Sequence, residues 1–380
     1  MGNIPLTKPL FDSDEMQLIK QSLDSGWVTQ GPFAVQFEQM FAKKHSVPYA
    51  VATTSCTAAL HLAMLALELS PGDEVIVPAL TWVTSANCAE YVGAKVVFAD
   101  IDLETYNLNP KAFEATITPK TRAVVVVHLF GLSANMNDIM RIAKKHNLYV
   151  IEDAACAVGT LYGGQPVGGI GTIGCFSFHP RKVITTGEGG MVTTLDKQLA
   201  EKVMCLRNHG ASGHPGPNAM PKPYSMSEFN VLGYNLRLSD IQAALGVAQM
   251  SKLEHLLAER KSRAERYTML LAQAENLVLP SVPPKCGHTY QSYVIRLKDG
   301  DMLYRNRVMD QLTAAGIQSR PGTHAVHRLG YYKNKYKLSP EQFPNACLGE
   351  DATITLPIFP GMSDEDQDYV VNKLITALKE

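Results

Sequence analysis

Two residues some thirty positions apart carry the chemistry most easily read from this chain. Asp153 closes the apolar run Tyr149-Val-Ile-Glu-Asp153, and Lys182 follows a second run, Gly174-Cys-Phe-Ser-Phe178. Strand ends are where an α/β sheet keeps its reactive groups. The aromatic and apolar flanks of Lys182 would desolvate its amine and favour the nucleophilic form. Gly187, Gly189 and Gly190 follow it and allow a close approach of the backbone. Strand alternation turns Glu152 away from Asp153, so only one of the two acids serves a given face. A lysine and an acid so placed suit pyridoxal phosphate, whose aldehyde takes a lysine in Schiff-base linkage and whose pyridinium nitrogen takes an acidic partner. Stripped of that context, Lys182 would read as a solvated surface residue and Asp153 as a helix cap.

Such a cofactor also needs a phosphate cradle and a cover for its ring. Thr54-Ser-Cys-Thr57 stands at the start of an apolar helical stretch, where free amides, the helix dipole and hydroxyls suit an anion. Ordinary capping by Ser55 is the competing account. Ser177 could add another hydroxyl. Trp82 lies between a strand and a helix, where it could stack on a flat ring or simply pack in the core. His128 ends a strand and reads as structural. His324, His327, Tyr331 and Tyr332 form a polar aromatic cluster after Arg320-Pro-Gly322. They lack further ligands at fitting spacing, so no metal is expected.

The elements that must position these residues follow from the apolar pattern. Short apolar strands are predicted at 49–53, 74–77, 95–99, 123–127, 148–151 and 174–178. Helices are predicted at 12–23, 33–44, 58–69, 85–91, 135–146 and 197–206. That alternation implies an α/β fold with a largely parallel sheet covered on both faces. Residues 209–223, rich in Gly and Pro, read as an exposed loop. A long helix is expected over 239–271, with a bend allowed, and a smaller α+β unit from Pro280 onward. The division predicted is a large domain over 1–250 and a small C-terminal domain over 251–380. With 46% hydrophobic residues, 19% charged residues and a net charge of -1, nothing in the 380 residues argues for nucleic acid or an anionic membrane. Seven dispersed cysteines read as reduced thiols, and the N-terminal residues show neither a secretory signal nor a myristoylation motif. A cytoplasmic protein is expected.

Taken together these residues resemble the pyridoxal-phosphate-dependent sugar-nucleotide aminotransferases of the DegT/DnrJ/StrS type. The likeness rests on Ser25-Gly-Trp-Val-Thr-Gln-Gly-Pro32, Thr57-Ala-Ala-Leu-His-Leu62, Pro71-Gly-Asp-Glu-Val-Ile-Val-Pro78 and Val127-His-Leu-Phe-Gly131. It continues through Ile151-Glu-Asp-Ala-Ala155, Phe176-Ser-Phe-His179, Thr185-Thr-Gly-Glu-Gly-Gly190 and Gly233-Tyr-Asn-Leu-Arg237. The resemblance implies the fold type I architecture, with Lys182 as the Schiff-base lysine and Asp153 as the pyridine-nitrogen partner. It implies that Thr57, the Cys56 amide and Ser177 hold the phosphate and that Trp82 stacks on the ring. A homodimer follows from it, with Asn235 and Arg237 reaching the partner's cofactor phosphate. Thr29, His324, His327 and Tyr331 fall in regions near the substrate. The implied reaction moves an amino group from L-glutamate to a keto group of a nucleotide-linked keto-deoxy sugar, with C-4 favoured by the form of the segment after Lys182. The product would be an amino sugar for surface polysaccharide, such as O-antigen or lipopolysaccharide, or for a glycosylated product. Two positions depart from the common pattern. Cys56 stands where glycine is frequent, and Cys156 where Gln or His usually reaches the cofactor's phenolic oxygen; a thiol is a weak donor there. A 3-dehydratase of the same fold would carry histidine at the Schiff-base position, and a non-catalytic sensor would have no use for Asp153, Lys182 and the cradle together.

Overall fold

The computed structural model describes residues 3–212, 224 and 226–379. Seven strands build the central sheet. They are β1 (Tyr49–Thr53), β2 (Glu74–Pro78), β3 (Lys95–Ala99), β4 (Thr121–Val127), β5 (Tyr149–Asp153), β6 (Ile173–Ser177) and β7 (Gly190–Thr194). Their spatial order is β1-β7-β6-β5-β4-β2-β3. Only β7 runs against the rest, pairing antiparallel with both β1 and β6, while the other pairings are parallel.

The strands are apolar on both faces because helices cover both. Val75, Val77, Ala123, Val125 and Ile151 enter one core. Their alternating neighbours Ile76, Val124, Val126 and Val150 enter the other. This is the period-two split that a doubly covered sheet demands. The Ala123–Val127 run therefore carries no polar residue, and it is buried throughout.

The long helix expected over 239–271 is two helices, Asp240–Ser251 and Leu253–Leu271, broken at Lys252. Lys252 leaves the helical region of backbone space (φ -106°, ψ 8°). Its ammonium is held 2.6 Å from Asp12 and 2.8 Å from Glu15, at the start of the first helix, Ser13–Asp24. Beyond the break, a third core gathers residues from Ala264 to Leu378 together with Ile4. It surrounds a small antiparallel sheet of β8 (Leu277–Val278), β9 (Tyr293–Leu297) and β10 (Thr353–Leu356). The Gly- and Pro-rich stretch read as a loop falls, from residue 213 to 223, outside the described residues. Among the described residues, no helix is long and apolar enough to cross a membrane.

The register gathers one edge of the sheet. Thr53 at the end of β1 faces Gly190 at the start of β7, and Gly190 faces Ser177 at the end of β6. Asp153 at the end of β5 faces Cys175, two residues before Ser177. The four termini form a row along the carboxyl edge, where open α/β sheets place their ligand sites.

Candidate active site

Asp153 is buried, with 5% of its surface exposed. The Ser85 hydroxyl donates to Oδ2 at 2.6 Å, and the Ala155 amide donates to Oδ1 at 3.2 Å. Ser85 is in turn 2.9 Å from the Thr81 hydroxyl, so the start of the helix Thr84–Tyr91 orients the carboxylate. Asp153 has no ion-pair partner among the described residues. A buried carboxylate without a cation is costly unless one arrives with a ligand. Sequence reading missed Ser85; its signal was the hydroxyl pair Thr81 and Ser85 flanking Trp82, four residues apart on a strand-to-helix turn.

Glu152 points to the opposite face and does structural work. Its carboxylate accepts from the amides of Gly168 (2.7 Å), Ile170 (2.9 Å) and Gly171 (2.6 Å), and from His128 Nε2 at 2.9 Å. Because the Ala134 amide donates to His128 Nδ1, the ring proton sits on Nε2. Burial alone would raise the Glu152 pKa, but His128 and the amides outweigh it and hold the carboxyl below its ordinary value. The stabilisation is therefore complete above the ordinary carboxylate range and is lost as pH falls through the lower folded value. Glu152→Ala would orphan three amides and a histidine, so a loss of about 3–5 kcal/mol is expected in urea titrations at pH 7. An unchanged midpoint would refute this role.

Lys182 lies in the turn after β6, where its amide donates to the His179 carbonyl at 2.8 Å. Gln291 Nε2 donates to the Arg181 carbonyl at 2.7 Å, tying that turn to the C-terminal part of the chain. The Lys182 Nζ is half-buried and 3.2 Å from Cys156 Sγ. Lys182 has no carboxylate partner among the described residues, and its ammonium donates to the thiol. The departure at Cys156 thus sits directly beside the reactive amine.

The third part is the helix Cys56–Ala66. Ser55 caps it, its hydroxyl accepting from the Ala58 amide at 3.1 Å. Capping by Ser55 and an anion site are not exclusive. The amides of Cys56 and Thr57 precede the first intrahelical bond and face outward from the helix start. Burial pushes the Cys56 thiol well above its usual range, with Asp153 adding to the effect and Lys182 opposing it. Cys56 therefore offers its amide and a neutral thiol. Gly190 packs against this start so closely that a Cβ there would lie 2.5 Å from the Ser55 carbonyl oxygen and 2.6 Å from the Cys56 amide nitrogen. Only glycine lets β7 pass. Gly187, at φ +80°, makes the preceding turn.

Trp82 is 57% exposed, and its carbonyl accepts from the Ser85 amide, which places it beside Asp153. His324 joins it: His324 and Ala325 pair with Leu80–Thr81, and the His324 and Trp82 rings lie 5.6 Å apart. Asn235 is exposed, and Arg237 donates to Asn208 Oδ1 at 2.5 Å. Arg237 also bridges Thr53 through the backbone, next to the helix start. Thr29 is exposed, its carbonyl accepting from the Asp240 amide. Tyr331 is exposed and donates to Glu90. His327 is placed differently. It is 1% exposed, with Nε2 3.4 Å from Cys347 Sγ and its ring 4.6 Å from Phe343, and burial pulls its pKa down to about 4. Among the described residues, no group of three or more His, Cys, Asp or Glu could hold a metal ion.

Free helix-start amides, a buried acid without a cation and a lysine without a carboxylate partner share one sheet edge among the described residues. These residues fit pyridoxal phosphate: Lys182 would carry it, Asp153 would meet its ring nitrogen, and Cys56 and Thr57 would hold its phosphate.

Comparison with known proteins agrees. Residues 9–375 match the model of the DegT/DnrJ/EryC1/StrS aminotransferase family. The chain is 39% identical over 376 residues to GDP-perosamine synthase of Caulobacter vibrioides, covering 98% of each. It is 38% identical over 380 residues to the spore coat polysaccharide biosynthesis protein SpsC of Bacillus subtilis, covering 99% of this chain and 97% of SpsC. The putative sugar aminotransferase Spr1654 of Streptococcus pneumoniae superposes in its PMP form with a TM-score of 0.94, at 29% identity over 99% of both chains. Its PLP form gives 0.93.

Proposed function

The chain belongs to the DegT/DnrJ/EryC1/StrS aminotransferase family, and we propose that it moves an amino group from L-glutamate to the C-4 keto group of a nucleotide-linked keto-deoxy sugar. It is a sugar aminotransferase of fold type I and depends on pyridoxal phosphate. When bound, that group supplies a Schiff-base carbon and a ring that takes up electrons. Asp153 keeps the proton on the ring nitrogen. Lys182 Nζ would move a proton from the donor's Cα to the cofactor's Schiff-base carbon in the first half-reaction, and from that carbon to the sugar's C-4 in the second. Two half-reactions through one site predict ping-pong kinetics.

The observation that carries this reading is the single edge that joins Asp153, Lys182 and the free amides of the Cys56 helix. The sugar nucleotide as substrate is supported by the names of the Caulobacter and Bacillus relatives. The first of these is a reason to put GDP-linked sugars at the head of a substrate panel.

A two-fold dimer is part of the proposal. Met226 (92% exposed), Leu232 (86%) and Phe229 (62%) stand out just before Asn235, an apolar stretch of the kind a second copy covers. The division near residue 250 belongs to it as well, supported by the helix break at Lys252 and the separate core beyond it. The test is amination of 4-keto and 3-keto sugars on UDP, GDP, dTDP and CMP, followed by mass spectrometry with L-glutamate as donor. Exclusive 3-amination, or no amination of any sugar by protein that glutamate bleaches, would sink the C-4 reading.

A further inference from the structure

Two nucleophiles touch at the centre of the site. Lys182 Nζ donates to Cys156 Sγ at 3.2 Å, and both residues are half-buried, within reach of a small molecule from solvent. The other thiols are placed differently. Cys88 and Cys347 are buried and donate to the carbonyls of Ser85 (3.2 Å) and Pro340 (3.3 Å). Cys175 is buried inside β6. Burial pushes the Cys56, Cys205 and Cys286 thiols above their ordinary range, and a neutral thiol is a poor nucleophile. Among the described residues, Cys156 is the one thiol whose sulfur accepts from a lysine.

The backbone holds this pair from both sides. Cys156 lies in a turn closed by the Ala157 amide, which donates to the Ala154 carbonyl at 2.9 Å. The Cys156 carbonyl packs against Gly131, where a Cβ would lie 3.1 Å from its oxygen. The Lys182 amide is fixed in turn by the His179 carbonyl. Only the flexible four-carbon stem of the lysine has to move for nitrogen to meet sulfur.

We propose that Cys156 and Lys182 form a modification site, which a hydroperoxide closes by a reversible sulfur–nitrogen bond that withdraws the amine from the cofactor. This rests on the reading of Lys182 as the cofactor's point of attachment. In the first step the peroxide O–O bond breaks and the Cys156 sulfur takes one oxygen, giving a sulfenic acid and an alcohol or water. Sulfur gives up two electrons and the peroxide receives them. A sulfenic acid condenses with a neighbouring thiol or nitrogen, and the neighbour in contact here is an amine. The lone pair of the unprotonated Lys182 Nζ attacks sulfur, the S–O bond breaks, and the hydroxyl leaves as water with a proton from the nitrogen. No second oxidant is consumed. Two equivalents of a thiol reductant reverse the step, returning the thiol and the amine as their own disulfide forms. A lysine already joined to the cofactor's aldehyde has no lone pair to offer, so that form is protected. The site is open before the cofactor is loaded and while the cofactor carries the amino group between half-reactions.

The experiment exposes cofactor-free enzyme to hydrogen peroxide and maps its peptides by mass spectrometry. Intact mass would not serve, because the fifteen methionines also take up oxygen. The expected product is one fragment joining the Cys156 and Lys182 peptides, lighter than their sum by about 2 Da, the two hydrogens lost in the net oxidation. The Schiff-base absorption formed on adding pyridoxal phosphate should fall in the same proportion, and dithiothreitol should restore both. Enzyme loaded with pyridoxal phosphate before the peroxide should yield little of the fragment, and converting it first with L-glutamate should bring the fragment back. Cys156 that gains oxygen without a joined fragment would overturn the proposal. So would a cross-link at Cys156 that persists in Lys182→Ala, which would mark a disulfide, or equal cross-linking of loaded and cofactor-free enzyme. The two readings fail separately. Loaded enzyme that L-glutamate does not bleach would defeat the aminotransferase reading and leave the cofactor-free result standing, whereas bleaching without any joined fragment would defeat only the modification site.

Discussion

Replacing Lys182 by alanine is expected to lower kcat by about 10³- to 10⁴-fold while leaving the cofactor able to bind. The geometry separates these effects. Lys182 contacts Cys156 Sγ through Nζ, whereas the amides proposed to hold the phosphate belong to the Cys56 helix and Asp153, the proposed ring-nitrogen partner, to β5. Removing the amine deletes the covalent link and the proton carrier but none of the other contacts. The variant should therefore take up pyridoxal phosphate with the absorption of a free aldehyde rather than of a Schiff base. Methylamine added at high concentration should restore the Schiff-base spectrum and a fraction of turnover. The half-buried lysine has no ion pair, so folding should be nearly unaffected. Retention of a tenth or more of wild-type turnover would remove Lys182 from the reaction.

What could be read before any coordinates depended on whether a residue's role is local. The Asp153 and Lys182 pair was legible because each follows an uninterrupted apolar run, and such runs become central strands in a doubly covered sheet. The opposed directions of Glu152 and Asp153 were legible from period two alone, and His128 proved to be the structural partner of Glu152. The antiparallel course of β7 was not legible. Gly190-Met-Val-Thr-Thr194 looks the same in either direction, and what reverses it is the turn through Gly187 together with pairing to the preceding strand β6 and the distant β1. Ser85 escaped notice for a similar reason: its partner Asp153 lies 68 residues away. The bend allowed in the long helix is a full break at Lys252, because that side chain is drawn out to acids of the first helix. The polar cluster of His324, His327 and Tyr331 looked like one unit by spacing. The fold disperses it: His324 meets Trp82, Tyr331 meets Glu90 and His327 enters the interior. No common period relates them, because His324 belongs to the two-residue strand His324–Ala325, His327 to the 3-10 turn Val326–Arg328 and Tyr331 to the helix Gly330–Tyr336.

Asp153→Asn is expected to reduce kcat about 10²- to 10³-fold, the scale on which loss of one preorganised electrostatic group is felt. It should do so without harming the fold, and the sign of its effect on stability is the stronger test. In the protein without cofactor, the carboxylate is 5% exposed and answered only by the Ser85 hydroxyl and the Ala155 amide. Two neutral donors do not offset the cost of burying a charge. Asparagine keeps the shape, and its carbonyl oxygen can still accept one of the two bonds. The cofactor-free variant should thus melt at the same temperature as wild type or higher. Added pyridoxal phosphate reverses the order. Wild type gains the ring-nitrogen contact to a negative oxygen, and a ligand that binds the native state stabilises it by RT ln(1 + [L]/Kd). With a weaker contact, Asp153→Asn should show a much smaller thermal shift at the same cofactor concentration. Lower stability of the variant without cofactor would mean that Asp153 is a structural cap. An undiminished shift on adding cofactor would mean that the ring nitrogen is answered elsewhere.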